Sequence, residues 1–166
     1  MLTIKKILAP TDLSELSEDG VRMALEIAKS RGAEVTVYHV IDNEEARRHH
    51  GLFRDRSLAH LEANRIINLV EERKRLLATF LRDKFPDLLS DVKISQDVQV
   101  GVPYRKIIDR AAEEGADLIV MSTHGKSGLL HGLIGSVAEI VVRLASCPVV
   151  SVHPTKRRHE AGTQAA

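Results

Sequence analysis

Two short groups of residues carry the chemistry this sequence offers: Ser122-Thr123-His124-Gly125, and Gly135-Ser136-Val137, with Gly128 and Gly132 in the interval between them. An unbroken apolar run, Leu118 to Met121, precedes the first group and suits a strand covered on both faces. Apolar residues at helical spacing, Val137, Ile140, Val141 and Leu144, follow the second. Ser136 and Glu139 stand three apart, the arrangement of a capping box, so the helix is expected to begin at Gly135 or Ser136. Strand, glycine loop and helix start together make an anion site. The first N–H groups of a helix lack partners, the aligned peptide dipoles leave positive charge there, and glycines let the main chain approach a ligand closely. Loop glycines also mark ordinary turns, so the pattern alone does not identify the anion.

The order and spacing narrow it. Ser122, two residues, Gly125, nine residues, Gly135 and then Ser136 resemble the glycine signature of the universal stress protein family in its ATP-binding branch, which reads Gly, two residues, Gly, nine residues, Gly, then Ser or Thr. Ser122 stands where that signature has its first glycine, and a Cβ there requires negative φ and room beside the ligand. The resemblance covers about residues 2 to 153. It implies a nucleotide-responsive stress or regulatory protein that binds ATP, or ADP or AMP, with Mg²⁺ held through the phosphates. By the same carry-over, Pro10, Thr11 and Asp12 match a Pro-x-Asp stretch that lies near the adenosine. Val40 corresponds to an adenine-packing position, and Met121 would touch base or sugar. Ser122, His124 and Gly125 would line ribose and phosphates, while Gly135, Ser136 and Val137 would supply helix-terminal N–H groups.

Each residue also has a plainer role. Asp12 is equally suited to cap a helix, and an apolar Val40 is usually core. Lys126 could balance phosphate charge, although loop lysines commonly point into water, and His131 is a weaker candidate. Gly125-Lys126-Ser127 is not the phosphate loop of ATPases, because Val120 occupies the position of its earlier glycine. No base is evident for the γ-phosphate, so any ATP hydrolysis is expected to be slow or partner-dependent. Two alternatives remain open: a dimeric interaction module of the same family without nucleotide, and an ATP-using transferase with His124 as its one visible acid or base.

These groups need a scaffold, and the rest of the chain alternates strand and helix. Leu2 to Ala9, Glu34 to Ile41, Asp91 to Val100, Leu118 to Met121 and Pro148 to His153 read as strands, the third suited to a sheet edge. Val21, Ala24, Leu25 and Ala28 mark a helix stopped by Gly32; a long helix runs from Ser57 to about Lys84; a third starts at Pro103 and closes at Gly115. Asp42 to Arg56 is read as an exposed connection that could cover the mouth of a site. Alternation of β and α predicts a three-layer α/β/α sandwich around a five-stranded parallel sheet. The resemblance implies strand order 3-2-1-4-5, the Rossmann-like arrangement of adenine nucleotide alpha hydrolase-like proteins. It also implies a homodimer formed by pairing of the 148–153 strand, alongside an unidentified protein partner.

At 166 residues the chain fits one domain, taken as residues 1–153, followed by a basic tail over 154–166 expected to be disordered. A net charge of +1 and 3% aromatic residues disfavour nucleic acid as a partner, and no apolar run is long enough to span a membrane. The N-terminus lacks a signal peptide's order of residues, so cytoplasmic residence is expected. Cys147 reads as a small buried hydrophobe, and His49-His50 lacks the acidic or cysteine neighbours of a metal site.

Overall fold

The computed structural model describes residues 3–50, 59–124 and 135–154. Its strands are β1 (Lys6–Thr11), β2 (Glu34–Asp42), β3 (Lys93–Gly101), β4 (Leu118–Ser122) and β5 (Val149–Val152). Its α-helices are α1 (Glu18–Arg31), led into by a 3-10 turn at Glu15–Ser17, α2 (Asn43–His50), α3 (Ala59–Lys84), α4 (Pro103–Glu114) and α5 (Ser136–Leu144). All pairings are parallel, in the order β3-β2-β1-β4-β5, as the resemblance implies. Tail residues 155–166 lie outside the described residues, and so do residues 51–58.

Period-two alternation sorts side chains to the two faces of the sheet. Ile7, Ala9, Val35, Val37, Leu118 and Val120 pack with α1 and α3, the latter through Leu77, Phe80 and Leu81. Leu8, Tyr38, Ile119 and Met121 pack with Ile107 and Ala111 of α4 and Ala138 and Val141 of α5. Central β1 and β4 are apolar from Ile7 to Pro10 and from Leu118 to Met121 because both faces are covered there, whereas β3, at the edge, keeps exposed polar positions. Gly32 and Gly115 end α1 and α4 in the left-handed conformation at φ 65° and 62°, where a Cβ would be strained. Pro103 takes the first position of α4, where its missing N–H costs nothing. Burial pushes the Cys147 thiol up.

The stretch read as an exposed connection from Asp42 begins instead as a helix. The Asp42 carboxylate accepts the Glu44 N–H at 2.7 Å, Glu44 and Glu45 favour the positive end of α2, and Ala46 is buried at 5% exposure. One apolar foothold is too little for a periodic signal, which is why composition suggests a loop.

Asp117 fastens the amino-terminal edge of the sheet, at the opposite end from the crevice. Its carboxylate accepts the backbone N–H groups of Lys5 at 2.8 Å and Lys6 at 3.0 Å, and its own N–H donates to Lys6 O at 2.9 Å. Those hydrogen bonds, Lys5 first, hold the carboxyl below its ordinary value. A carboxyl depressed in the folded state stabilises above its unfolded value, about 4, and loses that effect as pH falls through the folded value. Asp117→Asn should therefore be less stable than the wild type at pH 7, and urea unfolding at a series of pH values should show the gap closing below about pH 4. A gap independent of pH would mean that the charge is not responsible.

Candidate functional site

Strand order reverses between β1 and β4: the connection leaving β1 runs over the face covered by α1, while the one leaving β4 runs over the face covered by α5. A crevice opens at the carboxyl ends of such neighbours. Here it is a cavity of ≈ 410 Å³, within the range of small-molecule sites. Pro10 and Thr11 from β1 and Asp12 just after it, Val40 from β2, Met121, Ser122 and His124 from β4 and the turn after it, and Gly135, Ser136 and Val137 from the start of α5 all border it. These are the ten described residues among the eleven singled out in the sequence. Gly125 lies outside the described residues, as do Lys126 and His131.

Thr123 closes β4 onto its surroundings. Its N–H donates to Val152 O at 2.8 Å, and its carbonyl accepts the Gly135 N–H at 2.6 Å. The second bond pulls the N-terminus of α5 against the end of β4. A Cβ on Gly135 would stand 2.8 Å from Thr123 O, so the glycine is required by close approach; its φ of −59° demands nothing unusual. The Gly135 N–H is thus spent inside the protein, contrary to the expectation that it serves a ligand. Ser136, Val137 and Ala138 are the first-turn residues of α5, preceding Glu139, whose N–H makes the helix's first internal bond, to Gly135 O at 3.0 Å.

The capping box expected from Ser136 and Glu139 does not form. Gly135 is the cap residue and no side chain caps it; Glu139 instead lies 3.8 Å from Arg143 on the exposed face of α5. With Ser136 already inside the helix, its side chain has left the geometry that reaches the third amide.

At the end of β1, Asp12 is not the cap of α1, which starts six residues later. It makes a tight turn, its carboxylate accepting the Ser14 N–H at 3.0 Å and the Ser14 hydroxyl at 2.5 Å. Thr11 faces α1: its hydroxyl accepts the Leu13 N–H at 3.0 Å and lies 2.7 Å from the Ser17 hydroxyl. His39 donates from Nδ1 to Thr11 O at 2.9 Å, joining the ends of β1 and β2 below the cavity.

Several lining residues carry no motif in the sequence. Pro103 and Ile107 come from α4, and Glu45 and Arg48 from α2. Only the fold of α2 brings the last two there. Tyr38 is fully buried in the wall, and burial, followed by the Asp97 charge, pushes its hydroxyl up to about 12, so it stays neutral at physiological pH. Near the β4 end, the Thr123 hydroxyl is shared by His124 Nδ1 at 2.8 Å and His153 Nδ1 at 3.4 Å, with the imidazole rings edge to face 5.3 Å apart. Chemically, the crevice offers helix-end amides for an anion, a carboxylate for hydroxyl or amine donors, and an apolar wall of Val40, Met121 and Val137 for a flat ring. Among the described residues no three His, Cys, Asp or Glu side chains form a metal cluster, and no helix is long and apolar enough to cross a membrane.

Glu45 also pairs with Arg73 of α3 at 2.5 Å, with side chains 25% and 16% exposed, anchoring α2 as a wall of the cavity. Glu45→Gln should free α2 and raise the rate of tryptic cleavage at Arg47 and Arg48 by roughly threefold to tenfold, the scale of a half-buried ion pair. An unchanged rate would show that Ala46 alone seats the helix.

The family profile described as Universal stress protein family matches residues 3–153. Universal stress protein MJ0577 of Methanocaldococcus jannaschii is 33% identical over 159 residues, spanning 89% of this chain and 94% of that one. Universal stress protein MJ0531 of the same organism is 35% identical, spanning 92% and 84%. Among solved structures, that of MJ0577 superposes with a TM-score of 0.70 at 32% identity, covering 93% of this chain and 99% of that one. The universal stress protein from Archaeoglobus fulgidus in complex with dAMP superposes with a TM-score of 0.54 at 24% identity, over 91% and 98%, a likeness of fold.

Proposed function

This chain belongs to the universal stress protein family, and from that premise we propose that its crevice binds an adenine nucleotide, ATP with Mg²⁺, and that the bound nucleotide sets the protein's activity as a stress-responsive regulator. The observation that carries the reading is that the first turn of α5, the Asp12 carboxylate and the side chains of Val40 and Met121 border one cavity of ≈ 410 Å³. Phosphates need positive potential without a hydrophobic wall, ribose hydroxyls need an acceptor, and a purine needs flat apolar surface; the three occur together here. The dAMP complex of the Archaeoglobus fulgidus protein is consistent with a nucleotide in this fold.

In this reading the amides of Ser136, Val137 and Ala138 meet the phosphates, with Gly125 and His124 beside them. Gly135 acts by holding α5 against β4. Asp12 accepts from the ribose, and Pro10, Thr11, Val40, Met121 and Ser122 shape the adenosine end. Mg²⁺ arrives on the phosphate oxygens and spreads their charge, which needs no dedicated cage of side chains. The nucleotide is a bound signal in this account, and any turnover depends on a partner.

Mg-ATP should raise the wild-type melting temperature in proportion to occupancy. Asp12→Asn keeps an acceptor for Ser14 but removes the charge, and should weaken Mg-ATP binding in calorimetry by about tenfold or more. Gly135→Val, whose Cβ meets the Thr123 carbonyl, should bind more weakly still while remaining folded by circular dichroism. No thermal shift and no heat with the wild-type protein would refute the reading.

A second copy of the chain is proposed as partner along β5. This edge strand is short and mostly valine, with Val150 37% exposed, and on α5 Leu144 at 61% and Val142 at 47% are exposed as well. An unpaired apolar edge invites a symmetric strand partner. Light scattering should give twice the 18.4 kDa chain mass, and Val150→Lys should halve it. A monomeric wild type at micromolar concentration would exclude the dimer.

A further inference from the structure

The residue that departs from the glycine signature, Ser122, does a task outside the crevice. It lies on the same face of β4 as Leu118 and Val120, the face turned to α1, and is 8% exposed. Its Oγ accepts the Gly20 N–H at 3.0 Å in a buried hydrogen bond across 102 residues of sequence. Gly20 is the third residue of α1, so its N–H is among the first-turn donors that the helix itself cannot satisfy.

The local cap is engaged elsewhere. Ser17 occupies the cap position of α1 but makes no side-chain cap bond; its hydroxyl donates to Ser14 O at 2.8 Å and pairs with Thr11 at 2.7 Å. The missing acceptor is supplied from the sheet. Close approach requires that residue 20 be glycine: a Cβ there would stand 2.5 Å from Ser122 N, 2.9 Å from Met121 C and 2.9 Å from Ser122 Oγ. Two of those atoms belong to the β4 main chain and cannot swing aside. Glycine within a helix ordinarily costs stability, and here that cost admits the strand.

We propose that Ser122 and Gly20 are a matched positioning pair: the Ser122 hydroxyl caps α1 from β4, and the absence of a Cβ on Gly20 lets α1 hold the end of β4 where Thr123 must stand to receive α5. The inference rests on the nucleotide reading of the crevice and deepens it. It assigns positioning residues for that ligand on the far face of the sheet, neither of which touches the phosphates through its side chain. It also explains why a serine is accommodated at this position: the side chain is directed at a helix, and the cavity is bordered by what remains of the residue.

The test uses full-length protein carrying Ser122→Ala, Ser122→Gly or Gly20→Ala, each checked for folding by circular dichroism at 25 °C. Amide hydrogen exchange at Gly20, read without nucleotide, should be protected in the wild type and accelerate by about tenfold in Ser122→Ala, the scale of one lost buried hydrogen bond. Calorimetry with Mg-ATP at the same temperature should show affinity about threefold to tenfold weaker in both Ser122 variants, and weaker again in Gly20→Ala. A role in stability alone would lower the melting temperature and leave the affinity of the folded protein unchanged, which would overturn the proposal. So would an exchange rate at Gly20 indifferent to residue 122, or tighter binding by Ser122→Gly. Wild-type protein that binds no Mg-ATP would sink the nucleotide reading and the positioning step with it; the exchange at Gly20 would still decide the cap independently.

Discussion

Two hydrogen bonds at Thr123 govern the geometry of the crevice. The residue leaves β4 with its N–H held by Val152 O and its carbonyl holding the Gly135 N–H, so the strand's end is fixed to its neighbour and to the helix that follows. A helix N-terminus draws an anion only over its first turn, because the potential of its unpaired amides falls off within that distance. The helix must therefore begin close against the strand, and a side chain at position 135 would prevent it. The glycine serves proximity between two pieces of backbone.

Everything around that closure keeps β4 where it is. Its two faces pack against different helices, and its last residue reaches α1 through the Ser122 hydroxyl. On the neighbouring strand, Thr11, Ser14 and Ser17 satisfy one another and Asp12 turns the chain, so the end of β1 is ordered by short polar bonds rather than by helix capping. His39 ties the end of β2 to Thr11. Three adjacent strand ends are thus fixed by separate local devices, which gives a ligand a preorganised floor and reduces the ordering it must impose.

Much of this was legible in the sequence because it depends on period and punctuation. Apolar runs at Leu118 to Met121, helical spacing in α1, α3 and α4, and stops at Gly32 and Gly115 identify the elements, and alternation identifies the layers. The order of the strands came from the family resemblance, since spacing carries no information on which strands are neighbours. The resemblance also gathered residues from four separated stretches that the fold places around one cavity. What the sequence hid has a common cause. Among its described side chains, helix α2 has one buried alanine and one ion pair to a residue 28 positions away, too little for a periodic signature. The capping box failed because a local motif competes with the tertiary bond from Gly135 to Thr123, which sets where the helix begins. Gly20 reads as an unremarkable helix glycine until Ser122 is seen against it.

The central claim is that the first-turn amides of α5 are held for phosphate by the closure at Thr123. The most direct measurement is a titration of ¹⁵N-labelled protein with Mg-ATP, followed by amide chemical shifts. The account predicts saturable shifts that are largest at Ser136, Val137 and Ala138, with Thr123 and His124 next, and little change at the opposite end of the sheet near Lys5 and Lys6. Shifts absent throughout, or saturable shifts centred away from the start of α5, would contradict it.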